Sequence, residues 1–353
     1  MTLALALALA AQGSAVAQAA TAGFKDPLDH PARAVDAASR RPMMAVAPAG
    51  ARLVAVGSRG LVVVSDDRGK TWQQSKVPVQ SDLLAVQFPT PRIGFAVGHD
   101  GVVLRSDDAG NSWVKQLDGR SAAESFRNHY QSHPTPADPA IKRALQQIDQ
   151  NFKAGAALPY LDVWFDSAQI GWAVGSFGML IATTDGGKTW APWLDRIDND
   201  QLNLNSVRGV GGEVLIVGEQ GKVYKLDREA RRFVAIDTGY AGSFFGLAGS
   251  GRTLLAFGLR GVAFRSEDQG KHWEQVPMPS EATIAGGVFD PATARYVLVN
   301  GAGELLVGDA DARRFEAVKP KQPLRLTGVM ALPDKTVVTT GFGGIALATL
   351  SAP

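Results

Sequence analysis

Gly171-Trp172-Ala173-Val174-Gly175-Ser176-Phe177-Gly178-Met179-Leu180-Ile181-Ala182-Thr183-Thr184-Asp185-Gly186-Gly187-Lys188-Thr189-Trp190 is the stretch on which the fold turns. An apolar run ends in Val174-Gly175, two residues intervene, and a second apolar run opens after Gly178. Glycine at both ends of a two-residue gap suits a tight hairpin, where positive φ is required. The second run ends in Thr183-x-Asp185-x-Gly187-x-x-Trp190. The Thr and Asp side chains can hold a turn through nearby backbone groups, and the glycine supplies the unusual backbone angle. The Trp then anchors the turn by burying its ring, for ~2–3 kcal/mol of apolar area.

Both halves of this stretch recur. The glycine pair returns as Val56-Gly57-Ser58-Arg59-Gly60, Val97-Gly98-His99-Asp100-Gly101, Val217-Gly218-Glu219-Gln220-Gly221 and Phe257-Gly258-Leu259-Arg260-Gly261. Two looser copies are Val299-Asn300-Gly301-Ala302-Gly303 and Thr340-Gly341-Phe342-Gly343-Gly344. Anchored at 57, 98, 175, 218, 258, 300 and 341, the spacings are 41, 77, 43, 40, 42 and 41. Five of the six match one four-stranded propeller blade. Each repeat reads as an apolar strand some way before the glycines (Leu83-Leu84-Ala85-Val86, Leu161-Asp162-Val163-Trp164, Phe244-Phe245-Gly246-Leu247). A second strand runs into the glycines, a third leaves them, and a fourth begins at a Trp. The expected fold is all-β, a seven-bladed propeller of four-stranded antiparallel blades.

The corner motif has four full copies: Ser65, Asp67, Gly69 and Trp72; Ser106, Asp108, Gly110 and Trp113; Thr183, Asp185, Gly187 and Trp190; Ser266, Asp268, Gly270 and Trp273. Four of the seven tryptophans fall here, in phase with the first repeat. The motif resembles the Asp-box (BNR) repeat of sialidase-type propellers. Combined with Gly171-Trp172-Ala173-Val174-Gly175, it resembles the photosystem II stability/assembly factor family of plants and cyanobacteria, with its relatives in non-photosynthetic bacteria. The resemblance covers roughly residues 41–353. It implies a seven-bladed, exported or lumenal, non-enzymatic assembly chaperone for membrane-protein complexes. The boxes degenerate at Asp227 to Phe233, where Glu229 stands in place of Gly, and at Asp309 to Phe315, so the tight turn is not expected there.

The ends and the outlying spacing complete the plan. Leu3 to Ala11 is an apolar run too short to span a bilayer, followed by the A-x-A sites Ala15-Val16-Ala17 and Ala17-Gln18-Ala19. Residues 1–19 read as a signal peptide, although no Lys or Arg precedes the run. The last repeat ends after three strands, so residues 20–40 are expected to supply a closing outer strand. The extra residues at 120–157 read as a helical hairpin inserted between blades two and three. Ser121-x-x-Glu124 offers a capping box before Phe126 and Tyr130. Asp138-Pro139 starts a second helix with Ile141, Leu145, Ile148 and Phe152 on one face, closed by Gly155. That connection lies on the face of the glycine turns, with the Asp boxes opposite. The apolar helix face either packs on the propeller or recognises a partner.

Composition narrows the chemistry. With 36 Lys and Arg against 34 Asp and Glu, the net charge of +2 argues against nucleic-acid binding. Cysteine is absent, which removes disulfides, thiolate metal sites and cysteine nucleophiles. His129 and His133 are four apart without a following Glu, and each Asp box offers too few oxygens for calcium, so no metal and no cofactor is expected. The enzymatic alternative is a glycosidase of the sialidase/BNR type, which hydrolyses with paired carboxylates. Asp67, Asp108, Asp185 and Asp268 are poor candidates, because they repeat in turn positions and catalytic residues break repeat symmetry. The expected function is a protein-binding scaffold or assembly chaperone for a membrane or envelope complex, in the periplasm or, in a photosynthetic cell, the thylakoid lumen. The candidate partner-binding residues are Arg59, His99, Phe177, Arg260 and Phe342 on the glycine turns, with Arg105 and Arg265 at matching third-strand positions. Together they would form a basic and aromatic rim for an acidic or amphipathic protein segment.

Overall fold

The second strand of every repeat is buried because it is covered on both faces, and it reads as an apolar run in the first six repeats, while in the seventh Thr339 and Thr340 follow Val337 and Val338. Leu53–Gly57 of Arg52–Gly57, all of Gly94–Gly98 and Gly171–Gly175, and the last five residues of Glu213–Gly218, Thr253–Gly258, Arg295–Asn300 and Thr336–Gly341 are buried. A strand with neighbours above and below loses the usual apolar–polar alternation. In the computed structural model, which describes residues 25–318 and 324–350, these runs are the second strands of seven antiparallel sheets. The protein is a seven-bladed β-propeller. Among the described residues six blades have four strands and the seventh has three.

The inner strands are Met43–Ala49, Leu83–Gln87, Tyr160–Phe165, Leu204–Val210, Phe244–Ser250, Ile284–Asp290 and Leu326–Ala331. Successive inner strands touch all the way round, and the seventh touches the first. The core lies between blades, where Val, Leu, Phe and Trp from facing sheets interdigitate. Where a full corner motif is present, the outer strand starts directly after its Trp, as in Gln73–Gln74 and Val114–Leu117.

Of residues 20–40, where a closing strand is expected, residues 20–24 lie outside the described residues and the described part forms no strand. Described residues 25–42 contain two single-turn 3-10 segments, Pro27–Asp29 and Ala38–Arg40, and no strand. The segment instead runs along the outer edge of blade one: Gln80 N–H donates to Pro27 O, Ala32 N–H to Val77 O, and Val35 N–H to Gln74 Oε1. At one end Arg120 pairs with Asp29, and at the other Ser39 and Arg40 lie against Gly344 of blade seven. The two ends of the ring are thus strapped together by a segment whose Pro and Ala content suits no strand. The signal peptide expected at residues 1–19 lies outside the described residues.

The helical hairpin is present as α1, Gly119–Gln131, and α2, Pro139–Asn151. The first begins earlier than expected. Asp118 is its N-cap, accepting from Arg120 N–H and Ser121 N–H, and Ser121 answers as the third helical residue. The second starts as expected, with Asp138 capping and Pro139 following. Phe126, Tyr130, Ile141, Ala144 and Ile148 are buried in the same cluster as the inner faces of blades two to four, so the apolar helix faces pack on the propeller. Among the described residues no helix is long and apolar enough to cross a membrane.

Candidate functional site: the insertion face and its central mouth

The glycine turns build one face of the ring. In five of them the residue before the second glycine is left-handed: Arg59 (φ 54°), Asp100 (φ 59°), Phe177 (φ 51°), Gln220 (φ 53°) and Arg260 (φ 55°). The following glycine is left-handed too, and a Cβ on Gly60 or Gly261 would strike the backbone of Val79 or Ser280. That close approach makes glycine necessary. The strained tip is held by the next blade. Arg59 N–H donates to Asp82 Oδ1 (2.7 Å), Phe177 N–H to Asn203 Oδ1 (2.8 Å), and Arg260 N–H to Thr283 Oγ1 (3.4 Å).

A tip whose backbone is anchored sideways points its side chain at solvent. Arg59, His99 and Arg260 are exposed, and Phe177 and Phe342 expose about half their surface, 53% and 52%. The Arg325 guanidinium sits 5.8 Å from the Phe342 ring centroid. The five residues singled out from sequence therefore share one face, on blades one, two, three, five and seven. They stand round a rim, and none lines the central cavity. Arg105 and Arg265 do not join them. They lie at the Asp-box end, where Arg105 pairs with Asp107 and donates to Gly186 O, and Arg265 is buried against Glu267 and Glu274. The helical hairpin stands on the rim face: Gln147 Nε2 and Asn151 Nδ2 both donate to Phe177 O (2.8 and 3.2 Å).

Inside the rim is a feature that the sequence did not announce. Every inner strand slips register at the same place, directly after the residue that pairs with the second strand's last residue. The bulged residues are Met44, Leu84, Leu161, Asn205, Phe245, Ala285 and Thr327, one per blade, all partly exposed around the channel mouth. Bulges of this kind re-aim side chains at barrel rims and sites. Behind them the next residue is Ala, Ser or Gly in six blades and Asp162 in the third, enclosing a cavity of about 150 Å³. Asp162 is buried. Its Oδ2 accepts from Arg208 Nη1 (2.6 Å), Ser206 Oγ (2.7 Å) and Val207 N–H (3.0 Å), and its Oδ1 from Val163 N–H (2.9 Å). The Arg208 guanidinium lies 6.0 Å from the Trp164 ring centroid. This polar knot breaks the sevenfold pattern. Its only trace in the sequence is an Asp inside the apolar stretch Leu161-Asp162-Val163-Trp164.

The opposite face carries the corner motifs, and each repeats one bonding pattern. The Ser or Thr hydroxyl donates to the carboxylate and accepts from the glycine N–H four residues on, at 2.8–2.9 Å. The other carboxylate oxygen accepts from Thr71 Oγ1, Ser112 Oγ and Thr189 Oγ1, and in the fourth copy lies 2.6 Å from His272 Nδ1. The Thr71 side chain and backbone hold the Asp67 carboxyl at about 2. Burial pushes Asp185 up, but hydrogen bonds from Thr189 and Thr183 outweigh it and leave that carboxyl at about 2. Trp113 and Trp190 are buried, whereas Trp72 and Trp273 are only partly so, which lowers the burial expected for those two rings. Among the described residues no group of three or more His, Cys, Asp or Glu is placed to hold a metal.

The sequence matches the family model described as photosynthesis system II assembly factor YCF48 over residues 11–129 and 141–232, more than half of the chain. The chain belongs to the YCF48 family. The match includes most of both helices of the hairpin and breaks only at its tip, residues 130–140. A curated relative, photosystem II assembly lipoprotein Ycf48 of Synechococcus sp. (strain CC9902), is 29% identical over 150 residues, 40% of this chain and 44% of the relative. The chain thus spans under half the length of that YCF48 protein. Among solved structures, YCF48 bound to D1 peptide aligns at TM-score 0.64 with 15% identity, covering 89% of this chain and 95% of that one. YCF48 from Cyanidioschyzon merolae aligns at 0.61 with 14% identity, covering 88% and 96%. The WD40 propeller domain of Doa1 aligns equally well, at 0.63 with 8% identity over 90% and 95%. These likenesses carry the propeller fold, while the YCF48 assignment comes from the sequence match.

Proposed function

We propose that this protein is an exported, non-catalytic assembly factor that holds an extended segment of a protein client from a membrane complex, photosystem II in a photosynthetic cell, on its insertion face. The observation that carries the reading is the rim. Arg59, His99, Phe177, Arg260 and Phe342 sit on turns whose backbones are locked while their side chains face solvent. Exposed Arg and aromatic side chains on rigid turns are the usual anchors of a protein interface. A relative that was solved as YCF48 bound to D1 peptide supports a peptide client. Residues 1–19 act as the export signal, and the destination is the periplasm or the thylakoid lumen.

The Ser, Asp, Gly and Trp corner residues are scaffolding on this reading. A glycosidase needs one carboxyl kept protonated by a raised pKa. The corner carboxylates go the other way, held low by their own turns. Titration of a labelled D1 peptide tests the client. Binding is expected in the native chain, and at least tenfold weakening in the Arg59→Glu/Arg260→Glu double variant at unchanged thermal midpoint. Equal affinity in that variant would remove the rim. Turnover of an aryl sialoside would restore the glycosidase.

A further inference from the structure

The tip of blade three is gripped in a way that the other left-handed tips are not. Phe177 N–H donates to Asn203 Oδ1 (2.8 Å), and Phe177 O accepts from Gln147 Nε2 (2.8 Å) and Asn151 Nδ2 (3.2 Å). Arg59, Asp100, Gln220 and Arg260 share its backbone sign, but among the described residues no side chain donates to their carbonyls. At Arg59 and Arg260 a side chain of the next blade holds the N–H alone.

The glycine that follows is enclosed differently as well. A Cβ on Gly60, Gly221 or Gly261 would meet the main-chain oxygen of Val79, Tyr240 or Ser280, each in the connection to the next blade. A Cβ on Gly178 would meet Asn199 Oδ1 (2.6 Å) and Gln147 Nε2 (2.8 Å) instead. Side-chain amides from α2 and from residue 199 thus stand at blade three where these blades have main chain. Gln147 and Asn151 are four apart on α2, so they share one side of the helix and reach one carbonyl together. The helix has other anchors: Ile141, Ala144 and Ile148 are buried in the core beneath it, and Gln150 Oε1 accepts from Gln201 Nε2 (3.0 Å).

A left-handed residue with a large side chain persists where its surroundings over-determine it. Here that residue is an aromatic with 53% of its surface exposed. We propose that Gln147 and Asn151 are positioning residues of the client site, fixing the Phe177 tip so that its ring already stands in the orientation the client meets, a role that rests on the rim being the client surface. Both main-chain groups of Phe177 are spent on these anchors. What the tip offers a client is therefore the ring, an apolar contact, whereas Arg59 and Arg260 offer charge. Ordering an anchor beforehand raises affinity because that ordering no longer has to occur on binding.

The probe is a labelled D1 peptide titrated against the full chain, with amide hydrogen exchange as a second readout. Gln147→Met/Asn151→Leu removes both donors at similar size. It is expected to weaken the peptide about three- to tenfold, mostly through faster release, at unchanged thermal midpoint. Exchange at the Phe177 amide should rise about tenfold as the tip loosens. Gln150→Ala breaks the bond to Gln201 and leaves the Phe177 carbonyl held, so it is expected to bind like the native chain. Phe177→Ala should weaken the peptide, and adding the two α2 substitutions to it should cost nothing more, because the amides act through the ring. Unchanged affinity or unchanged Phe177 exchange in Gln147→Met/Asn151→Leu would overturn the proposal and leave the rim intact. A further loss on the Phe177→Ala background, or an equal loss in Gln150→Ala, would do the same, since either marks a helix that merely docks. No peptide binding by the native chain, or full binding by Phe177→Ala, would remove the rim at blade three and the proposal with it.

Discussion

Replacing Trp113 by Ala is the sharpest test of whether the corner motifs hold the ring together. The ring is 4% exposed and meets Phe88 edge-to-face at a centroid distance of 5.9 Å. Its Nε1–H donates to Gly110 O (3.1 Å), and its own amide donates to Lys76 O of the preceding blade. Truncating a buried Trp typically costs ~3–5 kcal/mol, with the cavity included. The edge-to-face pair contributes ~0.5–1.5 kcal/mol and the indole hydrogen bond ~1 kcal/mol, partly counted already in that range. We expect about 4 kcal/mol, a large share of the ~5–15 kcal/mol that holds an ordinary domain folded. Trp273 makes the same indole bond to Gly270 O (3.0 Å) but is only partly buried. Its Ala variant is expected to lose about half as much, ~2 kcal/mol, by the same reckoning. The assay is urea unfolding followed by far-UV circular dichroism and by fluorescence, which must coincide for a linear extrapolation to apply. A loss below ~1 kcal/mol in Trp113→Ala, or equal losses at the two positions, would refute the view that burial of these rings between blades stabilises the fold.

Two further outcomes follow from the same geometry. Asp67 and Asp185 titrate near 2 in the folded chain against an ordinary 3.8, so the unfolded state takes up protons first. Their contribution is complete above the ordinary value and is lost as pH falls through the folded one, so stability should drop between about pH 4 and pH 2. Asp67→Asn/Asp185→Asn should be less stable at pH 7 and flatter across that acid window; an unchanged acid slope in denaturant titrations would count against it. Tyr130→Phe should loosen the helical hairpin: the buried hydroxyl accepts from Leu194 N–H (2.8 Å) and donates to Asp195 Oδ1 (3.0 Å). Leaving that buried amide unpaired costs ~1–3 kcal/mol, read as faster proteolysis near residues 133–137; native resistance would mean that the helices dock without this bond.

Much of the site was legible because much of it is local. The corner motif bonds to itself within five residues, so Ser106, Asp108 and Gly110 announce their turn wherever they stand. The glycine turns are equally local, which is why Arg59, Phe177 and Arg260 were placed correctly on one face. The start of α1 was misplaced by a narrow margin. Ser121 does take part in a capping box, but Asp118, three residues earlier, also reaches the free amides and extends the helix. The closing strand that the sequence suggests at residues 20–40 is replaced, in the described part, by a strap along the outer edge of blade one. Arg33 and Gln74, 41 residues apart, meet through a side-chain bond that no periodicity encodes.

The sequence by itself determined the number of blades, the strands within them and the faces on which the turns lie. Repeats, apolar runs and i-to-i+4 side-chain bonds are properties of neighbouring residues. The tertiary structure alone decided the bulged mouth, the pairing of Asp162 with Arg208, and the strap along the outer edge of blade one. Each depends on which strand lies beside which, and in what register. That is set when seven separately patterned sheets pack around one axis and every backbone amide either finds a partner or is left facing outward.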